Sequence, residues 1–119
     1  MSRVKSSVAS RRRRKRVLKQ ARGYRGARSK LIRQAYGAVD RGMAMAYVGR
    51  KQKKRQYRRL WTTRINAACR AAGTNYSSFI DGLKKAGVTI NRKLLADLAA
   101  TDAEAFARLL ETAAAARQG

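Results

Sequence analysis

The 119-residue sequence has no histidine, no proline and one cysteine, and its six acidic residues face 30 lysines and arginines. Without histidine, no side chain has the ordinary pKa of a general base near neutral pH. A lone cysteine, Cys69, excludes a disulfide within the chain, and without histidine a Cys/His zinc site is excluded as well. Set among Asn66, Ala67 and Ala68, that cysteine reads as a small buried residue suited to a reducing compartment. No apolar run approaches the ~20 residues of a membrane span, and the basic N-terminus lacks the apolar stretch of a secretory signal. No glycine-rich P-loop, nucleotide fingerprint or carboxylate pair occurs. Asp81, Asp97, Asp102, Glu104 and Glu111 fall where helix caps and solvated faces put acids. The expectation is a protein that is not an enzyme, with no catalytic residue, cofactor, metal or small-molecule substrate.

What the chain does have is positive charge, unevenly placed. Residues 1–59 hold 22 basic residues against one acid, Asp40, while residues 60–119 hold eight against five. The formal charge of +24 therefore divides into +21 and +3. Leu, Ile, Val and Phe divide the other way, eight in the first 59 positions and 13 in the last 60. The first figure, about 14%, lies below the roughly 20% under which a charged chain stays disordered by itself. The reading is a basic segment, residues 1–58, disordered without a counter-charged partner, and a globular helical domain over 59–117, the only part expected to bury a core.

The pattern is all-α. Arg11 to Arg16 are six consecutive cations, followed by the thin apolar stripe of Val17, Leu18 and Ala21, and a short helix over about Ser10 to Ala21 fits them. GYRGARS, with glycines at 23 and 26, reads as a bend near 23–28. A G-x-x-G can also clamp a nucleic-acid backbone, but that clamp needs a strand framework, and no strand alternation exists here. A long helix is expected over about 29–72, with Ser29 as N-cap, Leu31, Ile32, Ala35, Tyr36, Val39 and Met43 as its stripe, and Gly73 ending it. Gly37, Gly42 and Gly49 each cost about 1 kcal/mol against alanine and permit curvature. At 1.5 Å per residue such a helix spans about 66 Å, against about 30 Å for a compact domain of this size. Its excess would be the part dense in Arg and Lys. Three short helices follow, capped by Thr74 or Asn75, by Asn91 and by Asp102. The expected core is Leu60, Trp61, Ile65, Phe79, Ile80, Leu83, Leu94, Leu95, Leu98, Phe106 and Leu109.

In RKQKKRQYRRLW, Arg50 to Trp61, seven of twelve residues are cations and none is an acid. No apolar side chain precedes Tyr57, so no protein core accounts for its first half. Phosphate does, because cations on a nucleic acid release its condensed counterions. Fifteen of the 22 cations in residues 1–59 are arginine, which forks onto phosphate and stacks on bases better than lysine. The candidate contacts here are Arg3, Lys5, Arg11, Arg12, Arg13, Arg14, Lys15, Arg16, Lys19, Arg22, Tyr24, Arg25, Arg28, Lys30, Arg33, Arg50, Lys51, Lys53, Lys54, Arg55, Arg58 and Arg59. Tyr24, Tyr36, Tyr47 and Tyr57 lie among them, either as platforms for unpaired bases or as helix-face packing. A DNA-compacting protein and a membrane-surface helix are the competing readings. The second lacks an apolar face over 50–56. Compaction from outside a duplex needs no long arm charged on every side, whereas a crevice in folded RNA presents phosphate on every side.

GYRGARSKLIRQAY, RKQKKRQYRRLWTTRINAACR and NYSSFIDGLKKAGVTINRKLLADLA, in this order and spacing, resemble bacterial large-subunit ribosomal protein twenty from about Arg3 to Leu110. RRRRKR is denser in arginine than the family's usual mixture, and Gly49 stands where a charged or bulky residue is commoner. The resemblance implies a bacterial-type ribosome, cytoplasmic in bacteria or within an organelle. It implies direct binding of 23S ribosomal RNA, a role in early assembly of the large subunit rather than in peptide-bond chemistry, and contacts with neighbouring large-subunit proteins. It implies a long basic helical extension threaded into RNA and a small helical domain outside. For some members it also implies repression of translation of their own message through the C-terminal domain. The matching basic positions there are Arg64, Arg70, Lys84, Lys85, Arg92 and Lys93, which the resemblance makes RNA contacts.

Overall fold

A computed structural model describes residue 3 and residues 5–119, and among these all regular structure is helical. Residues 1, 2 and 4 of the expected basic segment lie outside the described residues. The helices are α1 (Ser7–Gln20), α2 (Ala27–Lys30), α3 (Ile32–Ala71), α4 (Tyr76–Lys85), α5 (Arg92–Thr101) and α6 (Ala103–Gln118). The chain divides into two compact units, Met1–Lys51 and Gln52–Gly119, with α3 contributing to both.

In the first unit α1 begins three residues before Ser10, and Ser6 precedes it without a side-chain cap bond. The bend falls where the glycines put it. Gly23 and Gly26 have φ of 92° and 65°, the left-handed region that a Cβ disfavours. The expected N-cap at Ser29 is corrected: Ser29 lies inside the single turn of α2, and its hydroxyl donates to the Gly26 carbonyl at 3.2 Å. The hydroxyl thus closes the turn behind it instead of receiving amides ahead. The interruption comes at Leu31, whose backbone is extended (φ −96°, ψ 123°), so the long helix begins at Ile32 rather than at 29. A second correction concerns the core. Ala21, Ala35 and Val39 are buried together, flanked by Val17 and Leu18, so the basic half does bury a small apolar contact. Tyr36 and Met43, expected on the same stripe, are exposed.

The second unit packs the Gln52–Ala71 part of α3 with α4, α5 and α6. Ile65, Cys69, Phe79, Leu83, Leu95, Ala96, Phe106 and Ala113 form its buried core, with Trp61, Ile80, Leu109 and others against it. The Phe79 and Phe106 rings meet with centroids 5.1 Å apart and planes tilted by 49°, a favoured aromatic geometry. Leu60 and Leu94, expected inside, are 41% and 52% exposed. Leu94 neighbours Leu95 and Ala96, which take the buried face of α5, and Leu60 precedes Trp61, where the buried face of α3 begins.

Local chemistry fixes the helix ends. Asn75, Asn91 and Asp102 cap α4, α5 and α6, their side chains accepting from the amides of Ser78, Leu94 and Ala105 at 2.8, 3.0 and 2.9 Å. Each satisfies an amide with no partner inside its helix. After α3, Gly73 (φ 80°) donates to the Arg70 carbonyl and Thr74 to that of Cys69. After α4, Gly87 (φ 71°) and Val88 donate to Lys84 and Leu83 in the same way. Both are the paired reversal that left-handed glycine permits at a helix end. Val88 then packs on the core. Across the α3–α4 turn the Asn66 side chain accepts from the Tyr76 amide at 3.3 Å, joining the two helices by a polar contact.

Candidate nucleic-acid interface

Every candidate contact residue is exposed. Arg11 to Arg16 and Lys19 ride on α1; six consecutive residues at 3.6 per turn sweep past a full revolution, so the cations face every direction. Arg22, Tyr24 and Arg25 stand in the bend, Arg28 and Lys30 on α2, and Arg33, Arg50 and Lys51 on α3. Arg3 and Lys5 precede α1. In the second unit Lys53, Lys54, Arg55, Arg58, Arg59, Arg64 and Arg70 lie along α3, Lys84 and Lys85 end α4, and Arg92 and Lys93 begin α5.

The acids do not neutralise this array. Among the described residues the ion pairs converge on Asp81, which meets Lys85 at 3.3 Å and Arg117 at 3.6 Å. Exposed pairs of this kind contribute about 0–1 kcal/mol. Among the described residues Lys85 is thus the one candidate cation with an acidic partner, and Asp40, the single acid of residues 1–59, pairs with none of them. A helix polar on all sides, as α3 is from Arg50 to Gln56, gains nothing from apolar burial. Its exposed charges are left for an external counter-charge.

Tyr36, Tyr47 and Tyr57 are exposed along α3, and Tyr24, in the bend, is exposed with its hydroxyl set against Gly42 of α3. Tyr24, Tyr36, Tyr47 and Tyr57 are 38–58% exposed. Lys51 Nζ donates to the Tyr47 hydroxyl at 2.7 Å and lies 4.2 Å from that ring's centroid. Tyr57 tilts toward Trp61 at 6.1 Å, with Lys53 Nζ 6.0 Å from its ring. These pairings set half-exposed rings beside cations, the two ingredients of a base-stacking surface.

Two clefts gather candidates that are distant in sequence. In the second unit, Arg58 and Trp61 of α3 share a cleft of about 650 Å³ with Arg92 and Lys93 at the start of α5. Arg92 is held there by its Nε, which donates to the Tyr76 hydroxyl at 2.6 Å. In the first unit, Tyr24, Arg25 and Arg28 line a second cleft together with Arg41. Arg41 was not among the residues expected from the sequence; its signal was its spacing from Gln34 and Ala38 on one α3 face. Arg64, Arg70 and Lys84 are in neither cleft. Arg70, Lys84 and Lys85 occupy last turns of helices, where cations also favour the helix dipole.

Cys69 is fully buried, and desolvation pushes its thiol up to about 11, which makes it an inert core group. Among the described residues no helix is long and apolar enough to cross a membrane.

The comparisons with known proteins agree with one another. The profile of the ribosomal protein L20 family matches residues 3–109. The chain is 58% identical over 113 residues to the large ribosomal subunit protein bL20 of Caldanaerobacter subterraneus, covering 95% of both chains. It is 57% identical over 115 residues to that of Pelotomaculum thermopropionicum, covering 97% of this chain and 98% of the relative. With that of Solibacter usitatus it shares 58% over 116 residues, 98% of this chain and 89% of the relative.

Proposed function

The chain belongs to the ribosomal protein L20 family, and we propose that it is a structural constituent of the large ribosomal subunit that binds 23S ribosomal RNA directly. It supports early assembly of that subunit, beside neighbouring large-subunit proteins, and takes no part in peptidyl-transfer chemistry. The observation that carries this reading is the unneutralised array: exposed Arg and Lys on α1, the bend and α3, with no acidic partner there among the described residues. Phosphate supplies the counter-charge, and arginine's fork suits it.

Within this reading, residues 1–58 are ordered by RNA and residues 59–117 by their own core. The basic positions Arg64, Arg70, Lys84, Lys85, Arg92 and Lys93 add an RNA-facing surface to the second part. The same surface serves a second RNA, the chain's own message, in any member that represses its translation. A crosslinking map of the chain in cells tests the assignment. Crosslinks concentrated on large-subunit ribosomal RNA are expected; enrichment on DNA would restore the compaction reading.

A further inference from the structure

The cleft of the first unit has a volume of about 810 Å³, within the roughly 300–1,000 Å³ of small-molecule sites. One side is Tyr24 and Arg25 of the bend with Arg28 of α2; the other is a single face of α3, including Gln34, Arg41 and Met45. Two glycines leave it open. A Cβ on Gly37 would meet nothing within 4 Å, and a Cβ on residue 42 would stand 2.6 Å from the Tyr24 hydroxyl. Gly42 therefore lets the phenol rest against bare helix, and Gly37 keeps the space beside it empty. Tyr24 itself stands between the left-handed Gly23 and Gly26.

Phosphate alone needs no cleft, since an exposed helix face of cations binds it from outside. A concave site with an aromatic ring, a thioether, an amide and three guanidinium groups answers to a planar base joined to phosphates. We propose that this cleft seats one unpaired nucleotide of the RNA that the chain binds. The base stacks against Tyr24, and Gln34, which both donates and accepts, meets its edge. Arg25, Arg28 and Arg41 hold the flanking phosphates. The inference rests on the RNA-binding reading above and adds a base to what is otherwise contact with phosphate.

The test uses the full chain, 23S ribosomal RNA and ultraviolet crosslinking read by mass spectrometry. Gly37→Leu fills the cleft, leaves the charge unchanged and raises helix propensity. The wild type is expected to crosslink through Tyr24 or Met45 to an unpaired nucleotide. Gly37→Leu should lose that crosslink and bind roughly tenfold more weakly, the loss of one stacked base, with the same slope of log affinity against log salt. Tyr24→Ala should reproduce the weakening, which separates loss of the seat from misfolding around Leu at 37. Wild-type affinity in both variants overturns the seat and leaves the phosphate contacts standing. Binding that is absent or insensitive to salt in the wild type overturns the RNA-binding reading and the seat with it.

Discussion

Gly82 of α4 lies against the main chain of Ala113 of α6: a Cβ at residue 82 would collide with the Ala113 carbonyl oxygen and stand 2.8 Å from its Cβ. Both residues are buried, so the two helices are as close as a glycine allows. Alanine at 82 gains about 1 kcal/mol of helix propensity, but overpacking against a backbone that cannot swing aside costs about 3 kcal/mol. Gly82→Ala should therefore lower the unfolding free energy of the second unit by about 2 kcal/mol, read as a reduced denaturant midpoint with unchanged m-value. An increase in the midpoint would show that α4 and α6 are not in this contact.

Cys69 should resist thiol reagents until the second unit opens. With its pKa raised from 9.0 to about 11, the thiolate fraction at pH 8 falls by roughly a hundredfold, before burial slows access further. The linkage has a definite sign. The raised folded value means this group's contribution is complete below pH 9.0 and is lost as pH rises through about 11, because the unfolded thiol ionises first. Labelling of the native chain as fast as the urea-unfolded chain would contradict the burial.

Asn91→Ala removes the acceptor for the Leu94 amide at the start of α5 and should cost about 1 kcal/mol. Asn91→Ser should restore most of it, because serine is nearly as good a cap. Thermal unfolding of the three proteins separates the cap from a general effect of substitution.

In the free chain, amides of residues 30–50 should exchange far faster than those of 62–70. Among the described residues the first unit buries Ala21, Ala35 and Val39 as its apolar side chains, whereas the second buries Ile65, Cys69, Phe79, Leu83, Leu95 and Phe106 together. Addition of 23S ribosomal RNA should slow exchange over 30–50. Strong protection there without RNA would mean that the first unit is stable by itself.

Much of this was legible in the sequence, for reasons that particular residues make plain. Asn91 and Asp102 were readable as caps, and the first cap as Thr74 or Asn75, because a short acceptor before an apolar-periodic run has one efficient use; the bond to the Ser78 amide decides for Asn75. Gly73 was readable as a helix end because only glycine takes its φ cheaply. The charge asymmetry is what leads to phosphate as the proposed counter-charge, because the six acids of the sequence are too few to neutralise 30 cations. Less legible were contacts that depend on which faces meet. Gly82 is an unremarked helix interior until Ala113 is seen against it. Leu60 and Leu94 look like core until their neighbours take the buried face. Ser29 has cap chemistry, yet its hydroxyl turns back to Gly26. Arg41 joins Tyr24, Arg25 and Arg28 only because the bend brings the chain back along α3.

The central claim, that phosphate neutralises the basic array, is tested most directly by the salt dependence of binding between the full chain and 23S ribosomal RNA. If about ten cations meet phosphate, log affinity should fall against log salt with a slope of about −7 to −9. Replacing all of Arg11 to Arg16 with glutamine should weaken binding to every RNA tested and flatten the slope by about 4 to 5. A wild-type slope near zero, or a slope the six substitutions leave unchanged, would contradict the account.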